Sequence, residues 1–359
     1  MLQEPETKSE TLLEFKDFRV HFFTDEGIVK AVDGVDLIAR RGKTLCIVGE
    51  SGCGKSVMSL ATLRIIQKPG RIVSGQILWE TKAGELVDLA SLNPQGKRIR
   101  AIRGAEISMI FQEPMTSLSP LHTIGDQIME AIRLHQGLTK KDARQRTIET
   151  LQKVRIPRPE RLVDEYPFRL SGGMRQRAMI AMALSCNPSL LIADEPSTAL
   201  DVTTQAQILD LMLELQEEYG MAIMFITHDL GVVAEIADDV AVMYLGRVVE
   251  RADADTLFNA PKHPYTQALL GSIPKVTVHR QPLEPIKGMV PNPFRRPKGC
   301  TFHPRCAQAM QACETHEPSL SQLTPAHQVR CLLHQGSFAS NGETLLETER
   351  MNPSPEKPA

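Results

Sequence analysis

The sequence predicts an α/β protein: a parallel sheet flanked by helices around a phosphate-binding loop, with a helical insertion and a small Cys-rich C-terminal extension. Three observations carry this reading. A short apolar run, Lys43–Gly49, meets a glycine-rich turn and then a helical pattern from Lys55 onward. Short apolar runs and helical patterns alternate through the rest of the core, as a parallel sheet requires. After His263–Tyr265 the periodic apolar runs fade while Pro and Cys rise, which marks an appended unit.

Taken in order, Leu12–His21 alternates partly and reads as a strand, Thr24–Val29 as a loop, and Val35–Ala39 as a second strand. Lys43–Gly49 reads as a buried strand and Lys55–Ile66 as the helix after the turn. Ile107–Phe111 is another short strand. From about Pro114 to Pro167 the pattern turns helical, with helices over Ile124–Leu134 and Lys140–Val154. Leu190–Ala193, Ala222–Thr227 and Asp239–Leu245 return to short apolar strands, with a helix over Thr204–Tyr219 between two of them. The tail beyond 336, with Pro353, Pro355 and Pro358 among charges, has the composition of a disordered segment.

At 359 residues the chain is long enough for one large or two modest domains. A net charge of −2 and 4% aromatic residues offer neither a basic surface nor a base-stacking platform, so nucleic acid is not an expected partner. The most apolar runs, Ala178–Ser185 and Ala241–Gly246, are too short to cross a bilayer. The N-terminal MLQEPETKSE lacks an apolar signal core, so a cytosolic location, or docking on a membrane through a partner, is expected, where cysteines are thiols or metal ligands rather than disulfides.

Gly49, Glu50, Ser51, Gly52, Cys53, Gly54, Lys55 and Ser56 fit the phosphate-loop pattern G-x-x-x-x-G-K-[ST]. Glycines let successive backbone N–H groups curl around a phosphate, and the following helix turns its positive end toward the anion. Lys55 is placed to reach the β- and γ-phosphates of a nucleotide and Ser56 to bind Mg²⁺. LLIADE at Leu190–Glu195 ends an apolar strand in two carboxylates. Asp194 suits the magnesium shell and Glu195 the attacking water; a solvent-facing acidic pair is the plainer alternative. Gln112 and His228 also stand at strand ends. Gln112 would bridge magnesium and water, and His228 would bond the γ-phosphate and steady Glu195; either alone is also an ordinary strand-end side chain.

LSGGMRQR at Leu170–Arg177 places a Ser-Gly-Gly turn at a helix start, a second surface suited to an anion. Together these segments resemble the ATP-binding-cassette ATPase family over about residues 12–260. GESGCGKS is similar to its Walker A, FQEP to the Q-loop, LSGGMRQR to the signature, LLIADE to Walker B, STALD at Ser197–Asp201 to the D-loop, and ITHD to the switch-histidine segment. The resemblance implies a P-loop NTPase (RecA-like) cassette core with an antiparallel β subdomain. It also implies head-to-tail pairing, in which Ser171, Gly172, Gly173 and Gln176 act in trans on ATP held by a partner and Asp201 serves the D-loop. An aromatic ahead of Walker A stacks on adenine in that family, and Phe23, or its neighbour Phe22, is the candidate.

FQEPMTSLSPLHTIGDQIMEAI, the HPYT segment at His263–Thr266 and the Pro-rich stretch GMVPNPFRRPKGC resemble the oligopeptide/dipeptide importer subfamily. That implies a cassette over 12–261 with a helical subdomain near 114–180, an extension over 262–335 and a tail over 336–359. The implied role is an ATP-hydrolysing subunit at the cytoplasmic face of a bacterial inner membrane, powering import of di- or oligopeptides or a related solute. Its implied partners are a second, different cassette subunit, two integral membrane permease subunits and, indirectly, a periplasmic substrate-binding protein. The rival class is a soluble cassette ATPase acting on nucleic acid or ribosomes. Cys300, Cys306, Cys313 and Cys331 fall together in the extension, and four thiolates suit an iron–sulfur cluster or zinc. The subfamily resemblance implies a [4Fe–4S] cluster.

Overall fold

The computed structural model describes residues 10–112, 117–197, 201–273 and 286–336; the tail expected over 336–359 lies, from 337 onward, outside them. The chain divides into two compact units that meet at Arg247/Val248.

In the first unit, β1 (Thr11–Thr24) and β2 (Gly27–Arg40) form an antiparallel hairpin. Alternation drives it: Leu13, Phe15, Val20, Val35 and Leu37 point inward, each at most 2% exposed. The loop expected over Thr24–Val29 is instead a turn of Asp25 and Glu26 alone. Thr24 pairs with Gly27, and its hydroxyl donates to the Gly27 carbonyl at 2.9 Å.

The parallel sheet of this unit uses β3 (Thr44–Val48). Helix α1 (Lys55–Thr62) follows it; the sequence pattern ran to Ile66, but Arg64 takes a left-handed φ of 56° and ends the helix early. Next come β4 (Gly70–Glu80), which pairs with β1, and β5 (Leu86–Asp88), completing an antiparallel sheet in the order β2-β1-β4-β5. After α2 (Lys97–Ile102), β6 (Ile107–Ile110) joins the parallel sheet.

The helical insertion holds α3 (Ile124–Gln136), α4 (Lys140–Lys153), α5 (Pro159–Leu162) and α6 (Gly172–Leu184). Thr123 and Thr139 cap α3 and α4 by accepting backbone N–H bonds, and Gly137, at φ 66°, closes α3. The chain returns through β7 (Leu190–Asp194), α7 (Val202–Tyr219), β8 (Ala222–Thr227), α8 (Leu230–Ile236) and β9 (Asp239–Tyr244).

The parallel strands stand in the order β9-β3-β8-β7-β6. β3, β7, β8 and β9 are buried at every position, as a sheet covered on both faces demands. Register decides the site: Val48 lies beside Thr227, Asp194 beside Ile226, and Ile110 beside Ala193. The segments leaving β3, β6, β7 and β8 therefore emerge at one carboxyl edge, where open α/β sheets bind ligands.

The second unit begins within β10 (Arg247–Asp253) and continues through α9 (Ala254–Asn259), α10 (Pro264–Gly271), α11 (Ala312–Thr315), β11 (Ser321–Thr324) and β12 (His327–Val329). The buried Glu250 carboxylate accepts from the backbone N–H groups of Lys262, at 2.6 Å, and His263, at 2.9 Å. It also pairs with His327 Nε2 at 2.8 Å. This pins the HPYT segment to β10 and β12, while the Tyr265 and Phe302 rings pack with centroids 5.2 Å apart.

Candidate active site

The turn after β3 is built from glycines that only glycine can supply. Gly49 stands at φ 150° and Gly54 at φ 100°. A Cβ on Gly49 would lie 2.2 Å from the Met243 carbonyl oxygen, and one on Gly54 would lie 2.0 Å from that of Ala31. The loop thus packs against neighbouring backbone on its outer side, which leaves its inner side as a cradle. Lys55, only 6% exposed, donates to the carbonyls of Gly49 at 2.7 Å and Glu50 at 3.2 Å. Cys53 is also buried, its sulfur 3.7 Å from Lys55 Nζ, and burial pushes its thiol pKa up. A pocket of about 160 Å³ is bounded by Ala31, Ser51, Gly54, Lys55, Gln112 and Glu195.

Asp194 and Glu195 share a strand end but differ in character. Asp194 is 3% exposed, and its Oδ1 has no hydrogen-bond partner among the described residues. Burial pushes its carboxyl pKa up; a bond from Ser56 opposes this, and Glu195 adds to it. Glu195 takes a left-handed φ of 48°, a strain of about 1–3 kcal/mol for a residue with a side chain. Its backbone N–H donates to the Ile226 carbonyl at 2.9 Å. Gln112 Nε2 donates to its Oε2 at 3.1 Å, and His228 Nδ1 lies 3.2 Å from its Oε1. Four separate strand ends therefore bring Lys55, Asp194, Glu195, Gln112 and His228 together.

A buried carboxylate oxygen with no partner, beside a serine hydroxyl and a phosphate-shaped cradle, fits a hard divalent cation. Because folding raises the Asp194 pKa, its contribution to stability is present below the ordinary carboxylate range and is lost as pH rises through the folded value. Asp194→Asn removes that buried charge. The variant is expected to melt higher than the parent at neutral pH without nucleotide, the gain shrinking at acid pH, while magnesium-dependent hydrolysis falls at least about 100-fold. Thermal melts across pH, beside an ATPase assay, check both halves.

The signature segment divides into two environments. Ser171 caps α6, its Oγ accepting from the Met174 N–H at 3.4 Å, and Ser171 and Gly172 are exposed with Gly173 half-buried. Gln176, by contrast, is fully buried and donates to the Pro196 carbonyl. Asp201 caps α7, accepting from Thr204 N–H at 2.9 Å and Thr204 hydroxyl at 2.7 Å; Thr198–Leu200 of the same segment lie outside the described residues. Phe23 is half-buried with the Arg71 guanidinium 3.9 Å over its ring. Phe22 packs on Gly70, where a Cβ would come within 2.6 Å of its ring. Neither ring borders the loop pocket.

The expected [4Fe–4S] cluster, with zinc as its alternative, is overturned. Among the described residues no group of three or more His, Cys, Asp or Glu side chains is arranged to hold a metal ion. Cys300, Cys313 and Cys331 are buried free cysteines and Cys306 is half-buried. Burial raises the thiols of Cys300 and Cys306 and pushes that of Cys331 up to about 12. His303 Nδ1 bonds the Cys300 carbonyl at 2.8 Å instead of facing a metal.

The ABC transporter family profile matches residues 32–198, and the profile described as the oligopeptide/dipeptide transporter C-terminal region matches residues 249–313. The chain is 52% identical to the oligopeptide transport ATP-binding protein AppD of Bacillus subtilis, over 90% of its own length and 97% of that protein's. It is 48% identical to the dipeptide transport ATP-binding protein DppD of Escherichia coli, over 89% and 96%. Among solved structures it resembles a dimeric, post-hydrolysis state of the ATP-binding cassette MJ0796 bound to ADP and phosphate, with a TM-score of 0.59 and 26% identity, covering 68% of this chain and 99% of that one.

Proposed function

The chain belongs to the ATP-binding subunits of oligopeptide/dipeptide ABC transporters, and from that premise we propose that it hydrolyses ATP to drive import of di- or oligopeptides. One observation carries the mechanism: Glu195 stands between Gln112 and His228 at the mouth of the phosphate cradle. In this reading residues 49–56 hold the triphosphate, with Lys55 exchanging its loop carbonyls for phosphate oxygens. Glu195 orients the attacking water and takes its proton as the bond to the γ-phosphorus forms and the bond from that phosphorus to the β,γ-bridging oxygen breaks, with ADP as the leaving group. His228 holds Glu195 and bonds the γ-phosphate, and Phe23 stacks on adenine. Ser56, Asp194 and Gln112 would hold Mg²⁺, which when bound offsets charge on the β- and γ-phosphates.

The loop pocket, about 160 Å³, is smaller than the roughly 300 Å³ at which small-molecule pockets begin. That supports a site completed by another surface, with Ser171, Gly172 and Gly173 meeting ATP held by a second, different cassette chain and Asp201 at the same junction. The reading keeps a cassette over 12–261, a helical subdomain near 114–180 and an extension over 262–335. ATPases of this kind work with membrane permease subunits; we take the complex to hold two, fed by a periplasmic binding protein. Among the described residues no helix is long and apolar enough to cross a membrane, which fits peripheral attachment at the cytoplasmic face of the inner membrane. The alternative of a soluble ATPase acting on nucleic acid or ribosomes finds no support in the relatives.

The test is reconstitution of the chain with its membrane subunits in vesicles. ATP-dependent uptake of a labelled dipeptide or oligopeptide is expected; ATP hydrolysis with no peptide uptake would sink the substrate class. Pairing has its own check. Asp caps helices as well as Ser, so Ser171→Asp should fold normally, but its charge opposes a facing phosphate. ATP affinity at the chain's own loop is expected unchanged while turnover falls at least about tenfold. Full turnover in that variant would remove Ser171 from the trans contact.

A further inference from the structure

Gln176 sits in the signature segment but serves no exposed surface. It lies on the second turn of α6, 0% exposed, with Nε2 donating to the Pro196 carbonyl. Its Oε1 has no partner among the described residues. An apolar side chain would fill this position without burying an orphaned acceptor, so the donated bond is what the glutamine adds. The carbonyl it holds belongs to the residue directly after Glu195, whose φ of 48° sits in the left-handed region. The amide side chain therefore spans from the helix that begins at Ser171-Gly172-Gly173 to the main chain that aims Glu195.

We propose that Gln176 is a positioning residue for hydrolysis, carrying movement of the signature turn to the Glu195–Pro196 backbone of the same chain; this rests on the reading that Ser171–Gly173 meet ATP on a second cassette. The two ends are joined by rigid parts: α6 is a helix of 13 residues, and the Gln176 bond is enclosed. Gln112 and His228 share the Glu195 carboxylate. When a phosphate draws the N-terminus of α6, Gln176 draws the Pro196 carbonyl, and the strained Glu195 backbone turns its carboxylate toward the water. The signal that a facing ATP has arrived then reaches the catalytic carboxylate without leaving this chain.

The experiment is steady-state hydrolysis by the full-length chain in its transporter complex, with ATP binding measured separately. Gln176→Met keeps shape and loses the donor. It is expected to lower kcat about tenfold with KM and ATP affinity within about twofold, since the bond acts only on the reacting geometry. Gln176→Glu adds a readout that packing alone would not move. A buried carboxylic acid donates to Pro196 when protonated and cannot when ionised. Its kcat relative to the parent is expected to rise at least about threefold from pH 8 to pH 6, while the Met ratio stays flat. Parental kcat in the Met variant, or a Glu ratio that does not change with pH, overturns the proposal. Absence of ATP hydrolysis in the unmutated complex would instead overturn the function on which it rests.

Discussion

Glu195→Gln is expected to bind ATP within a few-fold of the parent and to turn it over at least about 100-fold more slowly. The substitution keeps the shape and both polar atoms of the side chain. Gln112 donates to one carboxylate oxygen at 3.1 Å, and the amide oxygen can still accept there. What disappears is the negative charge proposed to accept the water's proton, and Lys55 with the loop backbone, proposed to hold the phosphates, is untouched. Magnesium-dependent ATP binding by equilibrium dialysis and a single-turnover hydrolysis assay separate the two effects. Hydrolysis within about threefold of the parent would exclude Glu195 as the group that activates water.

The second large effect is on the loop itself. In Gly54→Ala the new Cβ meets the Ala31 carbonyl oxygen at 2.0 Å, and the backbone sits at φ 100°, where a side chain is strained whatever the space. Backbone on the opposing side cannot swing away as a flexible side chain can. The cost is expected to be about 3 kcal/mol of stability, with nucleotide affinity lost by at least about 100-fold because the N-terminus of α1 is no longer presented to the phosphate. Gly42→Ala is the control: it also has positive φ, 64°, but no atom lies within 4 Å of its new Cβ and it lies away from the pocket. It should lose only the strain term, about 1 kcal/mol, and keep its ATP binding. Equal losses of affinity in the two variants would show that strain alone, and not the shape of the cradle, decides binding.

Much of this site was legible because its parts are contiguous in sequence. The turn at 49–56 and the run Leu190–Glu195 are local words, and their strands are buried on both faces, so apolar runs marked them to within a residue or two. Gln112 and His228 were readable as strand ends, and the register then brought them to Glu195. What was not legible depends on packing between distant segments. β4, Gly70–Glu80, was passed over because its burial is irregular and Gly75 interrupts it; that glycine is needed where the strand crosses Asp17, whose carbonyl oxygen would lie 2.4 Å from a Cβ. The inward turn of Gln176 follows from its helix phase against Pro196, which the motif does not encode. Four cysteines in one short region count ligands without fixing their geometry, and among the described residues no such group is arranged to hold a metal ion.

The bonds of Lys55 have one more consequence. Its ammonium donates to the carbonyls of Gly49 and Glu50, inside the loop itself. The receptor therefore carries its own competitor. On the proposed reading that Lys55 meets the phosphates, a nucleotide would displace an intramolecular ligand, so only the difference between the two sets of bonds would count toward affinity. The same exchange runs backward when product departs: the loop recaptures its lysine as the phosphates leave. On that reading a cation parked in this way would restrain how tightly the spent nucleotide can cling and ready the chain for the next round.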